Sequence, residues 1–137
     1  MKLYKYIIVS FVLFGCGSDI LDPESYLTKN PWYEVCDNNS SKMHTFKNNI
    51  YSVITYGNSN FTNIVDKKEY IVESYTINGF VISSNSGNYV CGSTYADGGD
   101  TIIADCVKND QNIGYKIFIA NSSQKMAKEN IHKCIDF

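Results

Sequence analysis

Cys91 and Cys106 stand at equal distances from the centre of the run Asp97-Gly98-Gly99-Asp100. Glycines flanked by aspartates signal a turn, and the segments on either side are rich in β-branched and aromatic residues, which favour strands. A hairpin centred between Gly98 and Gly99 places Cys91 opposite Cys106. The same register sets Tyr95 opposite Ile102 and Ser93 opposite Ala104 on that face, with Val90 opposite Val107 and Thr94 opposite Ile103 on the other. A two-residue Gly-Gly turn makes the cysteines a hydrogen-bonded pair. A four-residue loop closed by Ala96 and Thr101 makes them a non-hydrogen-bonded pair, with Cα atoms about 4.5 Å apart, at the short end of disulfide geometry. The four-residue loop is preferred.

The same alternation of strand and turn runs through the body of the chain. Strands are expected at about Trp32–Cys36, Lys42–Lys47, Ile50–Tyr56, Phe61–Val65, Glu69–Tyr75, Phe80–Ser84, Tyr89–Ala96, Thr101–Val107 and Tyr115–Ala120. Connectors such as Asn48-Asn49, Gly57-Asn58, Asp66-Lys67-Lys68 and Asn78-Gly79 separate them. Short, regular strands predict an all-β fold, an antiparallel up-and-down meander closing into a small barrel. At the end the period changes. Ser122-Ser123 offers a helix cap, and Ala127, Ile131 and Cys134 fall on one face of a helix expected over Gln124–Cys134. The barrel domain therefore spans residues 32–137.

Four of the five cysteines lie in this body. With Cys91 assigned to Cys106, Cys36 is left for Cys134, tying the first strand to the C-terminal helix. In the chain-entropy model the two bridges contribute about 3 and 4.7 kcal/mol. The competing reading is buried, reduced cysteines. No metal site is expected, because no Cys-x-x-Cys spacing exists and the only histidines are His44 and His132.

The fifth cysteine, Cys16, ends an apolar run that follows Lys2 and Lys5. Eleven residues of helix cover about 16 Å, about half of a bilayer core, which suits a secretory leader and not a span. Leu13-Phe14-Gly15-Cys16 resembles the lipobox of bacterial lipoprotein signals, with Phe14 where a smaller residue is usual. The resemblance implies a signal peptide over 1–15, lipidation of Cys16 and a membrane partner. Residues 16–31 then form a lipid-anchored tether. Gly17 follows the cysteine in place of the aspartate that retains such proteins at the inner membrane. This implies the periplasmic side of the outer membrane in a Gram-negative cell.

Asn30-Pro31-Trp32-Tyr33-Glu34-Val35 resembles the Gly-x-Trp-Tyr-Glu opening strand of lipocalins, in which the tryptophan closes one end of the barrel. That resemblance implies a barrel-closing role for Trp32 and binding of a small apolar ligand. Ser86-Gly87-Asn88-Tyr89 is similar, one residue short, to the Ser-Gly-x-x-Tyr loop of small lipoproteins that inhibit C-type lysozyme, which makes these four residues a candidate interaction loop.

Composition removes other classes. The chain has a formal net charge of −2 and no arginine, which argues against nucleic acid. No nucleophile–base set is recognisable, so the protein reads as non-enzymatic and without a cofactor. His44 and His132 read as surface or packing residues. Asp97 and Asp100 fall short of the six to eight oxygens calcium takes. The many tyrosines line either a ligand cavity or a filled core, and the short chain favours the filled core. The expected function is a membrane-anchored lipocalin-like barrel that binds a small apolar ligand or an envelope partner. A periplasmic lysozyme inhibitor is the alternative.

Overall fold

The computed structural model describes residues 23–85, 87–108 and 115–135. A short helix, α1 (Pro23–Thr28), leads into eight strands: β1 (Trp32–Val35), β2 (Ser41–Lys47), β3 (Ile50–Tyr56), β4 (Ile64–Thr76), β5 (Gly79–Ser84), β6 (Gly87–Ala96), β7 (Thr101–Lys108) and β8 (Tyr115–Asn121). A second helix, α2 (Gln124–Glu129), follows. Each strand pairs antiparallel with the next, and β1 meets β8, so the sheet closes as an up-and-down barrel. Cys36 and the tail lie outside the named strands.

Period-2 alternation decides what fills the barrel. Trp32 and Glu34 share one face of β1, and Lys42, His44 and Phe46 share one face of β2; all are buried. Tyr51, Tyr70, Phe80, Ile82, Tyr89, Ile102 and Phe118 complete the interior. The rings stack: Phe46 on Tyr51 at 4.6 Å, His44 on Phe118 at 4.4 Å, and Phe46 edge-on to Phe80 at 5.1 Å. Each such aromatic pair adds about 0.5–1.5 kcal/mol to the burial of its area. An eight-stranded barrel is just wide enough for side chains to fill, and this one is filled by aromatic rings.

The β6–β7 hairpin has the expected register, Cys91↔Cys106 with Ala96↔Thr101 closing a four-residue loop. Cys91 and Cys106 form a disulfide inside the barrel, with Cα atoms 4.0 Å apart. At the loop, Gly99 has φ +93°, and a Cβ there would run into the Tyr26 side chain. Tyr26 of α1 uses that space and donates its hydroxyl to Gly99 O.

Three boundaries differ from expectation. The tether was expected to run to Pro31, but Pro23–Thr28 is helical and Tyr26 and Leu27 are buried. Proline suits a first helical turn, and the adjacent apolar pair anchors the turn in the barrel end. Asp66-Lys67-Lys68 is not a turn between two strands. It lies within one 13-residue strand, β4, whose residues 64–69 are all exposed, so the charges stay solvated. The C-terminal helix stops at Glu129, not Cys134. Ser123 caps its start by accepting from Met126 N–H at 3.2 Å, and Asn130 leaves helical geometry at φ −123°, ψ 52°. The residues beyond are drawn out along β1, and Ile131 is exposed instead of packed.

Candidate functional site

The weakest backbone closure of the barrel adjoins its most polar interior. One residue pair, Tyr33↔Asn121, joins β1 to β8. Past that pair the tail runs beside β1. His132 N–H donates to Val35 O at 3.2 Å and Asp37 N–H to His132 O at 2.9 Å, a parallel bridge. The disulfide Cys36–Cys134, with Cα atoms 5.3 Å apart, pins the tail two residues further on. Lys42 Nζ donates to Ile135 O at 3.1 Å.

Glu34 lies beneath this strap with no exposed surface. His44 Nε2 is 2.5 Å from its Oε2, and His132 Nε2 is 2.9 Å from its Oε1. His44 Nδ1 is in turn 2.8 Å from the Tyr51 hydroxyl. One arrangement satisfies the chain: Tyr51 O–H donates to His44 Nδ1, and His44 Nε2–H donates to Glu34. His132 faces acceptors on both sides, Glu34 and, at 3.0 Å, Asn130 O, so both of its ring nitrogens carry protons. Buried carboxylates persist only when paired and hydrogen-bonded in this way.

The ionisation pattern fits this geometry. Burial alone would raise the Glu34 carboxyl, but the hydrogen bonds from His132 and His44, with the charge of His132, outweigh it and hold it down, to about 2. The Glu34 hydrogen bond leads the effects that raise His132 above its ordinary value, against a smaller opposing effect of burial. Burial, with Glu34 nearby, pushes Tyr51 well up, so it stays a donor. The chain His132–Glu34–His44–Tyr51 is a charge-compensated clamp. Glu34, His44 and Tyr51 are sealed from solvent, and His132 is the partly exposed member of the chain.

Sequence reasoning set His44 and His132 apart as surface or packing residues, and Glu34 appeared only within the lipocalin-like motif. One signal was available. Glu34 and His44 have the same strand parity as the core residues Trp32 and Phe46, so alternation turns them inward. Nothing local points to His132, which reaches Glu34 from 98 residues away.

The other sequence candidates separate. Trp32 is fully buried at the barrel end occupied by α1; its Nε1–H donates to Leu27 O at 3.2 Å, and its ring lies 5.9 Å from Tyr26. Cys16 and Ser86 lie outside the described residues. Gly87, Asn88 and Tyr89 do not form a protruding loop. They begin β6, and Tyr89 is buried edge-on to Tyr70. The parity that places Cys91 inside also places Tyr89 inside.

Among the described residues, two clefts open to solvent. One, about 550 Å³, is lined by Ile50, Lys68, Glu69, Tyr70, Ile71 and Ser83. It lies where β4 leaves β5: Ile71 is the first β4 residue paired with β5, and Ile64 and Asp66 to Tyr70 pair with β3 alone among the described residues, with Val65 at an irregularity in that ladder. Ile64 and Val65 on this stretch are 62% and 59% exposed, and Ile71 is 54% exposed. The other cleft, about 390 Å³, runs between the tail and the outer residues Ile103 and Ile119. Comparison with protein-family models, curated proteins and solved structures returned no match.

Proposed function

We propose that this chain is a lipid-anchored, non-enzymatic protein of the bacterial envelope whose lipocalin-like barrel binds an envelope partner through its outer surface. The observation that carries this reading is the contrast between inside and outside. The interior is occupied by stacked rings and a disulfide, whereas apolar side chains are exposed along β4 beside a solvent-open cleft. Exposed apolar side chains of this kind can serve as interaction sites. The lipobox-like Leu13–Cys16 run supports the anchor, and the two disulfides suit an oxidising compartment.

A photo-crosslinking residue at Ile64 in intact cells should yield a discrete adduct that Val65→Lys abolishes. The same probe at Asp105 should not. Equal labelling at both sites would overturn the surface assignment. For the anchor, mass spectrometry should find acyl chains on wild-type Cys16 and none in Cys16→Ala; an unacylated wild type would refute it. A second reading, a small apolar ligand, is favoured by the isoleucine and tyrosine lining of the β4 cleft, which is within the usual size of ligand sites. Saturable binding of an apolar fluorescent probe, lost in Ile71→Lys, would select it. The lysozyme-inhibitor alternative loses support from the buried Tyr89, and purified protein is expected to leave C-type lysozyme uninhibited.

A further inference from the structure

The strap that closes the barrel gathers three groups of the kinds zinc prefers, and a fourth, Cys36, is bonded to one of them. Glu34, His132 and Cys134 each present one ligand atom, and these atoms lie within 4.8 Å of one another. Cys36 Sγ is bonded to Cys134 Sγ, one bond beyond that group of three. A tetrahedral zinc site with bonds of about 2.0–2.3 Å holds its ligand atoms about 3.3–3.8 Å apart. Reaching that range requires the two sulfurs to part once their bond is reduced and Cys36 to turn towards the other three groups. In the oxidised protein the two sulfurs are neutral and joined, and a proton on His132 bridges to Glu34.

We propose that reducing Cys36–Cys134 turns this strap into a zinc site formed by Cys36, Cys134, His132 and Glu34. The step balances as follows. A dithiol or phosphine donor supplies two electrons and is itself oxidised; with two protons, the disulfide becomes two thiols. Zinc then displaces both thiol protons and the Nε2 proton of His132, while Glu34 enters as the carboxylate.

Outer partners for the ligands are already in place. His132 Nδ1–H is directed at Asn130 O, which fixes the tautomer that leaves Nε2 for the metal. His44, itself held by Tyr51, orients the other oxygen of Glu34. Asp37, hydrogen-bonded through its N–H to the His132 carbonyl, adds negative charge nearby, and the Lys42 ammonium is engaged by Ile135 O. The sequence argued against zinc because the ligands are not clustered along it. They come from the two ends of the barrel domain and meet only through the fold. Under this proposal the seam stays fastened in both redox states, by sulfur–sulfur bonding when oxidised and by metal when reduced.

Cobalt(II) reports the ligand set. The probe is added to protein treated with a phosphine reductant, as wild type and as Cys91→Ala/Cys106→Ala, in which only Cys36–Cys134 can be reduced. The expected result is one cobalt per reduced chain with tetrahedral ligand-field and thiolate charge-transfer bands, displaced by zinc, and none per oxidised chain. His132→Gln and Glu34→Gln should each weaken binding more than about 100-fold, beyond the range of changes to outer partners. Far-ultraviolet circular dichroism accompanies each titration, and a chain that loosens on reduction should regain its signal with zinc. Absence of stoichiometric cobalt, bands unchanged in His132→Gln, or a reduced chain that metal does not restore would each overturn the proposal.

Discussion

The β6–β7 hairpin and the β1–β8 seam are each held by one disulfide, yet they are built differently. The hairpin is joined by eight residue pairs before its disulfide is counted, and that bridge closes a loop with a separation of 15. The seam has one strand pair, a bridge to the tail, a disulfide of separation 98, and the buried Glu34 chain. In the hairpin the covalent bond reinforces a ladder that already exists. At the seam, covalent and ionic contacts replace a ladder. A barrel closure can thus rest on side chains and a tail where two strands share a single residue pair.

The largest test of this contrast is the double variant Cys36→Ala/Cys134→Ala. It should lower stability by about 4–5 kcal/mol, as expected for removing a bridge over a loop near 100 residues, in urea unfolding of the oxidised protein. Glu34→Ala should follow at about 3–5 kcal/mol, because it leaves both histidines without their buried anion. Cys91→Ala/Cys106→Ala should cost about 3 kcal/mol. A hairpin variant that costs more than the seam variant would reverse the comparison.

Acidity probes the seam alone. Glu34 is held below its ordinary value, so its contribution is complete above about pH 4.5 and lost as pH falls towards about 2. His132 is held above its ordinary value, so its contribution is complete below pH 6.5 and lost as pH rises through its raised value. The thermal midpoint should therefore peak between these limits. His132→Gln should flatten the alkaline decline and keep an acid one, since His44 still contacts Glu34. The smallest expected effect is that of Tyr51→Phe, about 0.5–1.5 kcal/mol for one hydrogen bond, measured by the same unfolding curves.

Legibility in the sequence followed locality. The Cys91–Cys106 hairpin could be read because turn, register and facing residues lie within a short stretch. The pairing of Cys36 with Cys134 could be read only as the remainder. β4 was divided because a charged run resembles a turn when its exposure is unknown. α1 is not legible because Tyr26 takes its place from Gly99 and Tyr95, far along the chain. The clamp was hidden for the same reason: parity turns Glu34 and His44 inward, but only the closed barrel brings His132 to them.

The 98-residue separation of Cys36 and Cys134 also has a mechanical meaning. Tension applied before Cys36 and after Cys134 crosses directly through the sulfur bridge. Strands β2 to β8 lie on the loop beside that load path, so their chain length is not drawn out while the bridge holds. About 330 Å of extended chain is thereby withheld from any pull on the ends. Stretched in a force experiment, the oxidised barrel should lengthen only by what α1, β1 and the tail release.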